Sequence, residues 1–93
     1  MKKLTIGLVA EGPTDTMLLK ALIDMLLLGR HRYVEIQPKP SKTGAFGEYG
    51  GGWHGVRAWC QTLAKDSRKR KAHLQPLDML IIHVDADVAR DDV

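Results

Sequence analysis

A single cysteine, Cys60, stands in a chain of 93 residues, so no internal disulfide can form. The four histidines, His31, His54, His73 and His83, are scattered and make no zinc-ligand spacing with it or with one another. Together these absences point to a reducing, cytoplasmic setting. Long apolar runs are missing too. The most apolar stretch, Met17 to Leu28, is interrupted by Lys20 and Asp24, which leaves it too short and too charged for a membrane span. The apolar run after Met1-Lys2-Lys3 breaks at Glu11-Gly12-Pro13, unlike a signal peptide. The phosphate-cradling G-x-x-x-x-G-K-[ST] spacing is absent, and no internal repeat is evident. What remains is an ordinary soluble, globular composition, 44% hydrophobic and 27% charged, at the scale of one small domain covering residues 1–93.

Along the chain, Leu4 to Ala10 is short and almost wholly apolar, the pattern of a strand buried on both faces. Gly12 then suits an N-cap and Pro13 the first helical position, where its missing N–H costs nothing. The helix is expected to run through Leu28 and stop at Gly29. Thr16, Lys20 and Asp24 recur every four residues, so they are expected to form a narrow solvent stripe on a helix otherwise packed broadly against a sheet. Tyr33 to Gln37 alternates apolar and polar residues and ends at Pro38, as an edge strand does.

From Pro38 to Gly55 the residues are rich in Gly, Pro, Ser and Lys, which predicts a long mobile loop. Val56, Trp59, Cys60 and Leu63 mark a second amphipathic helix, continued or frayed by the basic stretch up to Pro76. Asp78 to Val84 is a second apolar segment, expected to be a fully buried strand with His83 packed inside. The order is therefore β-α-β-α-β, which predicts an α/β fold with a parallel sheet and right-handed crossovers. With the two apolar strands central and Tyr33–Gln37 peripheral, the expected strand order is 2-1-3. Ligands bind beyond the carboxyl ends of strands where such a chain reverses direction. Glu11 and Asp85 stand at those two ends.

Asp85 and Asp87 are two apart, so in an extended segment both side chains project to one side. Glu11 would approach from the neighbouring strand and Asp15 from the first helical turn. Carboxylates this close repel one another unless a proton or a cation intervenes. All-oxygen ligation suits Mg²⁺ or Mn²⁺ better than zinc or copper. A lone D-x-D triplet is commonplace in turns, and Asp15 fits a helix N-terminus for purely structural reasons. The pairing of Glu11-Gly12 after one apolar strand with Asp85-Ala86-Asp87 after the other is what favours a metal site.

VAEGPTD after the first strand and HVDADV after the third resemble the two signatures of the TOPRIM domain, found in topoisomerases, DnaG-type primases and OLD-family nucleases. The resemblance spans the chain in order and spacing, with about a dozen residues carrying the match. It implies a three-layer Rossmann-like TOPRIM fold. In that fold Glu11 would be the metal ligand or general acid-base, and Asp85 and Asp87 the magnesium ligands. Asp15 would be a further metal ligand, as in OLD-like nucleases. The activity implied is Mg²⁺-dependent cleavage of nucleic-acid phosphodiesters, of DNA more than RNA, with roles in phage defence beside an ATPase subunit. In topoisomerases a further acid follows D-x-D directly; here Val88-Ala89-Arg90 follow, and Asp91 or Asp92 would have to substitute. TOPRIM domains also continue with another strand and helix, so the chain reads as the front, βαβαβ portion.

Net charge is +3 and the pI about 9.2, compatible with a nucleic-acid partner. Arg68, Lys69, Arg70 and Lys71 could contact a phosphate backbone, although a charge run at a helix end is commonly a solvated surface. His54 or Lys42, in the glycine-rich segment, could approach a phosphate. Trp59 and Cys60 are expected in the core. Tyr33 and Tyr49 have no surroundings that suggest a nucleophile. Two other functions compete with a nuclease. One is a non-catalytic TOPRIM-like module that docks an ATPase or a nucleic-acid-processing partner, with a homo-oligomer also compatible. The other is a receiver-like phosphotransfer domain, which the single acid at position 11 fits poorly.

Overall fold

The computed structural model describes residues 3–39 and 50–85. The order of elements is β1 (Thr5–Val9), α1 (Pro13–Leu26), β2 (Arg32–Gln37), α2 (Gly52–Lys65), α3 (Ser67–Leu74) and β3 (Met79–Ile82). The strands form one parallel sheet in the order β2-β1-β3, as the hydrophobic pattern predicts. β1 lies in the middle because its side chains are apolar on both faces. Ile6, Leu8, Val9 and Ala10 are all 0% exposed.

The period-2 alternation of β1 divides the core into two clusters. Ile6 and Leu8 meet Ile23 of α1 on one face, with Leu19, Leu27, Tyr33 and Ile81 packed around them. Val9 meets Val56, Trp59 and Leu63 of α2 on the other face, with Ile36, Cys60, Leu74 and Leu80 beside them. Trp59 is core, as expected. Cys60 is half-buried, and burial pushes its thiol pKa up. The β1–β2 register slips between Leu8 and Val9, where Leu8 pairs with Glu35 and Val9 with Gln37. That slip turns Gln37 inward.

Several elements depart from expectation. The polar stripe of α1 is not the free solvent face expected, although Asp24 stays exposed. Thr16 is 3% exposed, and its Oγ1 donates to the Pro13 carbonyl at 2.8 Å. Lys20 pairs with Glu35 at 2.7 Å, and the Tyr33 hydroxyl donates to Asp24. For two of the three the cause lies in β2: Tyr33 and Glu35 share the face under α1 and offer polar partners to Asp24 and Lys20. Met17, Leu18, Leu22, Met25, Leu26 and Leu28 are left 50–76% exposed.

The helix also ends at Leu26 rather than Leu28, with the Leu27 N–H bonded to the Ile23 carbonyl. Gly29 still supplies the left-handed residue that returns the chain to β2, at φ 108°. His31 then fixes the start of β1, its Nδ1 accepting the Leu4 N–H at 3.1 Å. α2 begins at Gly52, so the loop predicted to reach Gly55 gives way to helix earlier, and residues 40–49 lie outside the described residues.

The basic stretch is not a frayed end of α2. It forms its own helix, α3, because Asp66 caps it by accepting the N–H groups of Arg68 and Lys69 at 3.0 and 3.1 Å. β3 was expected to be fully buried and central. It is instead an edge strand among the described residues, with Met79 38% and Ile82 47% exposed. His83 is exposed rather than packed inside. No helix among the described residues is long and apolar enough to cross a membrane.

Candidate functional site

The carboxyl ends of the three strands converge on Glu11. β1 ends at Val9, and the chain then breaks at Gly12-Pro13, so Glu11 occupies the turn between β1 and α1. β3 runs parallel to β1, and the His83 N–H bonds to the Val9 carbonyl at 2.8 Å. That contact carries the chain from β3 to Asp85 alongside Glu11. The Glu11 Oε1 accepts the Asp85 backbone N–H at 2.7 Å. The two acidic positions singled out from the sequence, 74 residues apart, are therefore neighbours.

A second contact holds the main chain of the same residue. The Glu11 carbonyl accepts the Gly52 N–H at 2.7 Å, which ties the start of α2 to the end of β1. Gly52 has φ +70°, a conformation that a residue with a Cβ adopts only under strain. Gln37 supports this arrangement from β2. It is 1% exposed, and its amide donates to the Gly50 carbonyl. Gly55 is buried where α2 crosses this turn, and a Cβ there would collide with the Gly50 carbonyl and the Gln37 amide. The triple glycine thus seats α2 on the ends of β1 and β2.

Gln37 and Gly55 are residues that sequence reasoning missed. Gln37 looked like the last exposed position of an edge strand, and Gly55 like loop. A glutamine directly before Pro38, facing a glycine cluster about a dozen residues on, is the signal that was available.

Asp15 stands in the first turn of α1, half-buried, where its carboxylate complements the helix dipole. Among the described residues, no three His, Cys, Asp or Glu side chains are grouped to hold a metal ion. Asp87, the second acid of the D-x-D triplet, lies outside the described residues, as do Lys42, Tyr49, Asp91 and Asp92. The donors that can be placed, carboxylates on Glu11, Asp15 and Asp85, are all hard oxygen ligands of the kind Mg²⁺ or Mn²⁺ takes.

The basic run is not part of this cluster. Arg68, Lys69, Arg70 and Lys71 are exposed on α3, which leads into the amino-terminal end of β3, opposite Glu11. Arg70 is also engaged, since its Nη1 donates to the Leu63 carbonyl at the end of α2 at 3.2 Å. His54 sits on the first turn of α2 rather than in a loop, exposed, with its ring 4.0 Å from that of Trp53. In comparisons with known proteins, the chain matches no family model, no curated protein and no solved structure.

Proposed function

We propose that this chain carries a Mg²⁺-dependent, nucleic-acid-cleaving domain of the TOPRIM type, with the three-layer Rossmann-like fold of that family. The observation that supports this most is the contact between Glu11 and Asp85 at adjacent strand ends, 2.7 Å from carboxylate to N–H. Ligand sites of open parallel sheets occupy that location. Glu11, Asp15, Asp85 and Asp87 would hold the ion through oxygen donors alone. When bound, Mg²⁺ (or Mn²⁺) would lower the pKa of a coordinated water and offset charge on a phosphodiester.

The residues of the chain have separate tasks in this reading. The Asp85 N–H fixes one oxygen of Glu11, which leaves the other oxygen to accept a proton or a cation. The Gly52 contact keeps the Glu11 main chain from drifting as charge changes nearby. The start of α1, just after Gly12, directs backbone N–H groups towards the same region and favours an anionic phosphate. Arg68, Lys69 and Lys71 would add salt-sensitive affinity for DNA or RNA at a distance from the acids.

Calorimetric titration of Mg²⁺ and Mn²⁺ into the protein, beside the double variant Asp85→Ala/Asp87→Ala, tests the site. Saturable binding that the double variant lacks supports the reading, and cleavage of plasmid or single-stranded substrates should follow it. An Asp85→Ala protein with undiminished cleavage would sink it.

A second reading has its own observation. The outward face of α1 leaves Met17, Leu18, Leu22, Met25, Leu26 and Leu28 at least half exposed, an apolar strip of a kind that commonly marks a contact surface. A non-catalytic module assembling with an ATPase, another nucleic-acid-processing protein or a second copy would use such a strip. Metal-dependent cleavage by the purified protein, unaffected by polar substitutions on α1, removes this alternative.

A further inference from the structure

Away from the acidic residues, a groove of about 490 Å³ opens between β2, α2 and α3. Its apolar walls come from Ile36, Trp59 and Leu77, and Lys39, Lys69 and His73 line it as well. That volume is within the range of sites that hold small organic ligands, roughly 300–1,000 Å³. We propose that this groove is a binding site for a small planar aromatic anion, a flat ring system carrying one carboxylate or phosphate.

Three observations define the ligand. The first is charge. Lys39 follows β2 and Lys69 projects from α3, so lysines reach the groove from two different elements. The acid on its lining, Glu35, is already paired with Lys20 at 2.7 Å. Among the described residues the balance within the groove is therefore cationic, and an anion is the complementary guest.

The second is shape. The indole of Trp59 and the imidazole of His73 lie 6.0 Å apart, tilted by 60°, with the aliphatic side chains of Ile36 and Leu77 on the same lining. Such a surface buries a flat ring better than a branched or strongly hydrated group. The third is an unmet hydrogen bond. Trp59 is 2% exposed, yet its indole N–H has no acceptor among the described residues. A buried donor left unpaired is costly; the N–H is itself buried as the ring stands, so pairing with a ligand acceptor would require the Trp59 ring to move.

The proposal is independent of the acidic cluster, although Lys69 also belongs to the basic run that the nuclease reading gives to nucleic acid. It concerns a different face of the sheet and needs no metal. Two sources of the same chemistry are separable by experiment: an aryl carboxylate and a nucleoside monophosphate.

The test follows the Trp59 indole N–H cross-peak in ¹⁵N-labelled protein, assigned with a Trp53→Phe variant. Indole-3-acetate and AMP serve as anionic probes, with adenosine and inorganic phosphate as controls. A saturable shift with indole-3-acetate, AMP or both is expected, at least tenfold weaker with either control. In the Lys39→Ala/Lys69→Ala protein, affinity should fall by about tenfold or more, as loss of charge-assisted contacts implies. Both lysines are exposed, so the double variant should keep its fold, visible as undisturbed Trp53 and Trp59 peaks without ligand. An Ala72→Phe variant, which fills the groove from α3, should block the shift as well. Response to AMP alone would assign a nucleotide site, and response to indole-3-acetate alone an aryl carboxylate site. No shift with either anion at millimolar concentration overturns the proposal, and so does equal affinity for adenosine and AMP.

Discussion

The Glu11 carboxylate accepts the Asp85 backbone N–H at 2.7 Å, so the turn after the central strand and the end of β3 are joined by one side chain. This contact gives Glu11 a structural task beside any chemical one, and substitutions can separate the two. Glu11→Gln keeps an oxygen that can accept the N–H, so its melting temperature should stay near that of the parent protein. Glu11→Ala removes the acceptor and should cost about 1 kcal/mol, the usual worth of such a bond. Mg²⁺-dependent cleavage should fall at least 100-fold in both, because neither retains an ionisable group there. Thermal melts and a plasmid-nicking assay on the two variants check this. Equal activity in Glu11→Gln and the parent would leave Glu11 a purely structural residue.

Gly55 tests how firmly α2 is seated on the strand ends. The carbonyl of Gly50 and the amide of Gln37 occupy the space a Cβ would need, and the first is backbone that cannot rotate away. Gly55→Ala should therefore destabilise by about 1–3 kcal/mol, the range for overpacking, despite the better helix propensity of alanine. The Gly52–Glu11 bond should loosen with it. Urea denaturation gives the first effect, and hydrogen exchange at the Gly52 amide the second. Wild-type stability in Gly55→Ala would mean that α2 can shift without penalty.

The orientation of α1 predicts an inversion of the usual rule for apolar residues. Leu22 and Leu26 are 50% and 76% exposed, so Leu22→Lys and Leu26→Glu should change stability by no more than about 0.5 kcal/mol. Ile23, one position from Leu22, is 7% exposed and packs with Ile6 and Leu8. Ile23→Ala should cost about 2–4 kcal/mol. The polar variants should also lower any self-association seen by sedimentation, which reports directly on the exposed strip. A large loss of stability in Leu22→Lys would show that this face is covered in solution.

These contrasts mark how far the sequence was legible. β1 and its neighbours could be read because strand burial leaves a direct trace. An uninterrupted LTIGLVA belongs in the middle of a parallel sheet, and YVEIQ at an edge. The meeting of Glu11 and Asp85 followed from the strand order alone. The orientation of α1 was hidden because periodicity says which residues share a face but not what that face meets. Tyr33 and Glu35 decided it, and they lie on another element. Helix α3 was obscured for a different reason: a run of Arg and Lys has no apolar period, and its start is set by a single capping residue, Asp66. β3 shares the apolar composition of β1, but composition does not count neighbours, and among the described residues β3 has one.

Tyr33 offers a prediction at the other end of the pH scale. Partial burial, together with the Asp24 carboxylate that accepts a hydrogen bond from its hydroxyl, pushes its phenol pKa from the ordinary 10.0 up to about 12. Raising the folded-state pKa means that folding favours the protonated phenol. The stabilisation is therefore complete below about pH 10 and is lost as pH rises through about 12. In a spectrophotometric titration near 295 nm, one tyrosine step should lie near pH 12 and be missing from Tyr33→Phe. The stability of the parent protein should decline across the same window. Tyr33→Phe, with no proton to lose, should start lower near neutral pH and decline less there. If both proteins fell in parallel between pH 10 and 12, the Tyr33–Asp24 bond would not be what holds the polar stripe of α1 against β2.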